Sequence, residues 1–147
     1  DFGTHSQNKF VADWFEFNLN INNLLTALAC RKHGFDIKQA IVGNNEVAKT
    51  IRTSNTHDFN LSGVFEQVEA IMAISENPNL LEREKAIDSL KWNWLEEHTF
   101  FNYFTIERVL AFYLRCELLH RWDNLTLENG QAIFRQLLED LKKDVKL

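Results

Sequence analysis

The chain has 147 residues, enough for a domain that buries about two thirds of its unfolded surface. With 45% hydrophobic residues, twelve Phe, four Trp and a single Pro, it lies far from the disordered class. Its net charge of -5 comes without a Lys/Arg stripe able to neutralise phosphates, which counts against nucleic-acid binding.

The charge is unevenly placed: residues 58 to 98 hold nine acids against three bases, so the middle of the chain carries the acidic surface. Cys30 and Cys116 sit in apolar helical contexts outside any CxxC or metal spacing, and are expected to be buried free thiols, as in a reducing compartment. No run of 18 apolar residues and no signal-peptide pattern occurs. The start at Asp1, in a polar stretch through Asn8, leads us to expect the C-terminal fragment of a longer protein. Residues 1–8 then read as linker or disordered, ahead of a single helical domain.

Phe10 to His33 is the longest helical pattern in the first half. Phe10, Trp14, Phe17, Ile21, Leu24 and Leu28 recur at steps of four and three, which puts six large apolar side chains on one face. Val11, Phe15, Leu19, Thr26 and Cys30 lie roughly opposite, so this helix is expected to be buried on both sides. Between the faces runs a polar seam of Asp13, Glu16, Asn20, Asn23 and Arg31. Asparagine competes with the helix backbone, so these amides need a return for that cost. Either they bridge to neighbouring helices and fix register, or they mark a specific interface.

Gly34 offers a left-handed stop, and Asp36 can cap a short helix from Ile37 to about Val42. A second short helix is expected over Glu46 to Arg52. Thr53 to Gly63, TSNTHDFNLSG, is polar and rich in turn formers, and reads as a mobile loop where proteolysis should begin. Val64 to Ile74 fits one amphipathic helix. Asn77 as N-cap and Pro78 at the first helical position open another, which runs to about Glu97.

Phe100, Phe101, Tyr103 and Phe104 crowd HTFFNYFT, residues 98–105. They read as a packed aromatic corner, with an exposed docking patch as the alternative. Thr105 starts a second long helix through Asp123, apolar nearly all round and so expected to be central and paired with the first. A break is expected at Asn124 to Thr126. The last helix runs from Leu127 to about Val145 with Ile133, Phe134, Leu137, Leu138 and Leu141 on one face. Lys142, Lys143 and Lys146 stand near its end, where they suit the helix dipole. No stretch alternates with period two, so the class is all-α, with about six helices of unequal length and two long central ones packed together.

Chemistry is harder to find. Glu117 and His120 form one ExxH, half of a di-metal carboxylate motif, but no other Glu has a His three residues later. The plainer reading is a partly buried Glu117 satisfied by an amide or guanidinium from another helix, with Arg31, Arg108 and Arg121 as available guanidinium partners and Asn20 and Asn23 as available amides. No nucleophile elbow, P-loop, dinucleotide fingerprint or HExxH occurs. The residues therefore suggest no catalytic group, no cofactor and no metal, with a metal-binding bundle as the remote alternative.

The stretches FVADWFEFNLNINNLLTALACRKHG and LKWNWLEEHTFFNYFTIERVLAFYLRCELLHRW resemble the C-terminal part of an uncharacterised bacterial family related to the C-type socket protein of V/A-type ATPases, whose eukaryotic form is designated d. Asn20 and Asn23 stand where the socket protein carries Asp-x-x-Asn, Ala29 replaces an Arg, and Glu117 with His120 stands where it carries Glu-x-x-Asn. The resemblance implies a helical bundle with no enzymatic activity: a cytoplasmic, membrane-peripheral socket joining the central-stalk subunits of a rotary ATPase to its membrane ring. On that view Asn20, Asn23, Arg31, Glu117, His120 and Arg121 are interhelical or interface residues. Glu66, Glu69, Glu82 and Glu84, in the acidic middle, are the expected docking surface for a basic partner. A free-standing helical interaction domain is the alternative.

Overall fold

The computed structural model describes residues 3–123, 125 and 127–144. Among them are seven helices and no strand, so the protein is all-α: α1 (Lys9–His33), α2 (Ile37–Ala40), α3 (Glu46–Thr53), α4 (Val68–Glu76), α5 (Leu80–Thr99), α6 (Ile106–Asp123) and α7 (Leu127–Asp144). They fall into two compact units, Asp1–Phe101 and Asn102–Leu147. No helix among the described residues is long and apolar enough to cross a membrane.

The first unit is built on α1. Asn8 caps it, its side chain accepting from Val11 N, and Gly34 closes it at φ 73, a left-handed turn that glycine takes without strain. Phe10, Phe17, Ile21 and Leu24 of the expected face are buried, while Trp14 and Leu28 are half-buried at its margins. Each fully buried large side chain contributes about 1.5–3 kcal/mol. The opposite face is less buried than expected: Phe15 is exposed and only Cys30 is shut away. Gly3 packs against the Phe15 ring with no room for a Cβ.

Helices α2, α3 and α4 pack against α1, and α5 packs on α4. Trp94 of α5 ties it to α1 by a ring cluster, its centroid 5.7 Å from Phe10, 5.5 Å from Trp14 and 5.2 Å from Phe17. Phe65 adds an edge contact to Phe17 at 6.2 Å.

Several boundaries differ from expectation. Val64 to Gln67 is not helical, because Gly63, Val64 and Phe65 all donate their backbone N–H to Leu61 O in tight turns, and α4 starts only at Val68. Asn79, not Asn77, caps α5 by accepting from Leu81 N and Glu82 N. Asn77 instead closes α4, and its Oδ1 accepts from Asn79 N. Pro78 therefore precedes the cap instead of opening the helix.

The Thr53 to Gly63 stretch is not a loose loop. Phe59 and Leu61 are 0% exposed, driven inward by turns that place Phe59 and Asn60 at φ 55 and 56. Two anchors in eleven mostly polar residues escape a composition-based reading.

In the second unit, Thr105 Oγ1 caps α6 by accepting from Arg108 N at 3.4 Å. The expectation of a buried central helix is corrected here: Ile106, Val109, Phe112, Tyr113 and Leu119 are all exposed, and Ala111 is the buried residue of α6. The two long helices expected to pair belong to different units, and α1 makes its core with α2, α3, α4 and the rings of α5. Helix α7 carries the expected apolar face, but its side chains too are exposed. Cys116 is exposed and Cys30 buried, both as free thiols. The expected break at Asn124 and Thr126, Asp1 and Phe2 of the opening stretch, and the end from Val145 including Lys146 lie outside the described residues.

Candidate functional site

The polar seam of α1 is the most organised set of side chains in the first unit. Asn23 Nδ2 donates to Val42 O at 2.8 Å, and Val42 N donates to Asn23 Oδ1 at 3.0 Å. One amide thus replaces a missing strand partner for the segment after α2. One turn earlier, Asn45 Nδ2 donates to Glu16 Oε1 at 2.9 Å and Asn20 Oδ1 at 2.8 Å, while Asn45 Oδ1 caps α3 by accepting from Ala48 N. Arg52 Nη2 closes the frame from α3 through Ile41 O and Gly43 O.

At the far end of the seam, Arg31 donates to His57 O and Thr56 O, both at 2.8 Å, and its guanidinium lies 3.8 Å from the Phe59 ring centroid. Glu16, Asn20, Asn23 and Arg31 therefore act on segments far along the chain, and the return for the asparagine cost is register between α1, the segment joining α2 to α3, and the loop after α3. Beyond Arg31, Asp58 organises that loop. Hydrogen bonds from the Ser62 hydroxyl, the Asn60 backbone N–H and the Thr56 hydroxyl lower its pKa to about 2.

Asn20, Asn23 and Arg31, expected as partners of Glu117, take these hydrogen bonds within the first unit. Glu117 is exposed on α6 and accepts a hydrogen bond from Tyr113 one turn earlier, which raises the Tyr113 pKa. His120 and Arg121 follow on the exposed last turn of α6, with the Arg121 guanidinium 5.3 Å from the Trp122 ring. No group of three or more His, Cys, Asp or Glu able to hold a metal occurs among the described residues.

The acidic residues named for docking are spread over three elements. Glu66 lies on the turn before α4 and is exposed, as are Glu69 on α4 and Glu82 on α5; Glu84 is half-buried. Glu82 meets Lys85 at 3.3 Å, a surface pair of small energetic weight. Folding adds acids that sequence spacing could not place beside them. Asp13 and Glu16 of α1 line a shallow groove of about 250 Å³ with Glu66 and His98, floored by Phe17 and Trp94. His98 stacks on Trp94 at 3.8 Å, with its Nδ1 2.9 Å from Trp94 O.

The aromatic corner is corrected from packed to exposed. Phe100, Phe101, Tyr103 and Phe104 are all largely in solvent, and Phe104 sits at φ 60. The apolar face of α7 is likewise open: Ile133, Phe134, Leu137, Leu138 and Leu141 are 40–67% exposed. Period alone shows which side of a helix is apolar, not whether anything in the chain covers it.

A family model matches residues 1–145, that of DUF2764, described as a protein of unknown function, and the chain belongs to that family. No curated protein and no solved structure matches it.

Proposed function

We propose that this DUF2764 protein is a non-catalytic coupling part of a V/A-type rotary ATPase, joining the central-stalk subunits to the membrane ring from the cytoplasmic side. The likeness of its two long-helix stretches to the socket protein of those ATPases supports the choice of machine. The observation that carries the assembly reading is the α7 face, where Ile133, Phe134, Leu137, Leu138 and Leu141 stand 40–67% exposed. Five large apolar side chains along one helix exceed the isolated apolar residues that a protein working alone leaves in water, and a partner helix is what covers such a stripe. The acidic residues on α4 and α5 supply the complementary long-range term, drawing in a basic partner and orienting it.

The test begins with gene neighbourhood: the gene should lie among those of ATPase subunits. The full-length protein, tagged and purified from native membranes, should bring stalk subunits with it and release them as salt rises. Deletion should uncouple ATP hydrolysis from ion movement while leaving nucleotide binding intact. If the protein neither co-purifies with ATPase subunits nor alters coupling when deleted, a free-standing helical adaptor takes the place of this reading.

A further inference from the structure

The groove of about 250 Å³ floored by Phe17 and Trp94 lies wholly within the first unit. Three carboxylates stand round it, Asp13 and Glu16 from α1 and Glu66 from the turn before α4, and no Lys or Arg lines it. Acids on a surface are ordinarily solvated and say nothing by themselves. Two of these have light partners already: Asp13 meets the largely exposed Lys9 at 3.5 Å, and Glu16 Oε1 accepts from Asn45.

Asn20 adds a second, independent feature. It is only 7% exposed and lines the same groove. Its orientation is fixed from the far side: Asn45 Oδ1 is committed to Ala48 N, so Asn45 presents its amide nitrogen, and Asn20 answers with Oδ1 at 2.8 Å. The Asn20 Nδ2 is thereby turned away from Asn45, and among the described residues it donates to nothing. That nitrogen is not sealed off from solvent; it opens on the groove. A donor in so enclosed a place gains from an acceptor that arrives with a ligand. The groove therefore suits two chemistries at once, a cation among the carboxylates and a carbonyl oxygen at Asn20. A basic side chain carried on a polypeptide backbone supplies both.

We propose that this groove docks one arginine side chain from a segment of a partner protein, with a backbone carbonyl of that segment accepting from Asn20 Nδ2. The proposal deepens the coupling role given above and rests on that reading for the identity of the partner. Size sets the first limit, since the volume lies under the roughly 300–1,000 Å³ of pockets that enclose drug-sized molecules and suits a single side chain. Charge sets the second, because three carboxylates with no lining Lys or Arg favour a cation. Shape selects arginine over lysine. The exposed His98 ring, stacked on Trp94 at 3.8 Å, gives the groove a planar wall, and a guanidinium lies flat on such a ring while its fork reaches more than one carboxylate. An ammonium is a point charge that uses neither feature.

The test uses the full 147-residue chain and reads its backbone NMR spectrum. The probe is acetyl-arginine amide, which carries a guanidinium and flanking carbonyls. It should shift the amides of Asp13, Glu16, Asn20 and Glu66 saturably, and added salt should weaken it. Methylguanidine, which lacks the carbonyl, and acetyl-lysine amide, which lacks the fork, should each bind about threefold more weakly or worse. Asp13→Asn with Glu66→Gln, both outside the core, should weaken the arginine probe by about fivefold or more. Glu76→Gln, which removes one charge at the exposed end of α4, should leave it unchanged. The absence of saturable shifts, equal binding of the lysine probe, or an equal loss in Glu76→Gln overturns the proposal. So do shifts of these amides when the protein alone is diluted, because a second copy would then fill the groove. None of these readouts needs an ATPase partner. Saturable probe binding without co-purifying stalk subunits removes the machine and keeps the groove, and the converse leaves the α7 stripe as the contact face.

Discussion

Asn23 holds Val42 by both of its backbone polar atoms, donating to the carbonyl at 2.8 Å and accepting from the N–H at 3.0 Å. The two residues are nineteen apart, and the contact fixes how the segment between α2 and α3 lies along α1. Asn23→Ala removes two hydrogen bonds at a part-buried site and should destabilise the fold by about 2–3 kcal/mol in urea unfolding. Asn23→Asp should be worse than its near-identical shape suggests, since a carboxylate cannot donate and would face the Val42 carbonyl. A loss under about 0.5 kcal/mol for the alanine variant would mean that Val42 finds water as an equal partner.

Arg31 plays the corresponding role for the next loop, where it bonds two successive carbonyls and covers Phe59. Arg31→Gln should cost about 1 kcal/mol, a modest figure because the site is exposed, but should speed amide exchange through residues 54–63 and open that segment to protease. Arg31→Lys keeps the charge over the ring and loses the fork, so it should restore little of the protection. Equal protease resistance in all three proteins would show that Phe59 and Leu61 hold the loop unaided.

Asp58 gives the loop a dependence on acid. Its pKa in the fold, about 2, lies below the ordinary carboxylate value, so its contribution to stability is fully present above about pH 4. That contribution is lost as pH falls through the folded value. Ser62 is the leading cause of the shift, and Ser62→Ala should therefore move the Asp58 titration upward, as read by NMR of the carboxylate. Asp58→Asn should flatten the stability profile between about pH 4 and pH 2 while leaving its shape near neutrality unchanged.

The helices of the first unit were legible because their signals are local. The recurrence of Phe10, Phe17, Ile21 and Leu24 needs only the helical period, and Asp36 and Gly34 act on neighbours within a turn. Asn79 shows the limit of such signals: Asn77-Pro78 and Asn79-Leu80 offer similar chemistry, and only the geometry of the connection selects the second. Phe59 and Leu61 were hidden because burial there depends on turns at positive φ, not on spacing. Helix α6 failed for a related reason, since apolar residues all round a helix show a need for cover without showing that this chain supplies it. Asn20, Asn23 and Arg31 stood out in the sequence as a polar seam, but that they hold connecting segments far along the chain is set by the fold and not by their spacing.

Association with the proposed stalk partner should separate into two terms that different substitutions address. Charge reversal at Glu66, Glu69, Glu82 and Glu84 alters a screened, long-range field, so it should slow the association rate and reduce its salt dependence while changing dissociation little. Phe134→Asp with Leu138→Asp acts instead on short-range apolar burial, and should speed dissociation by about tenfold or more with association nearly unchanged. Both sets change side chains that are exposed or half-buried, and neither should lower the stability of the α1 core or the helical content seen by circular dichroism. Surface-binding kinetics against reconstituted stalk subunits at two salt concentrations distinguish the terms. If the aspartate pair leaves dissociation unchanged, the α7 stripe is not the contact face, and the acidic surface of α4 and α5 would have to carry binding alone. Magnitude argues against that outcome, since exposed charge pairs contribute only about 0.2–1 kcal/mol each.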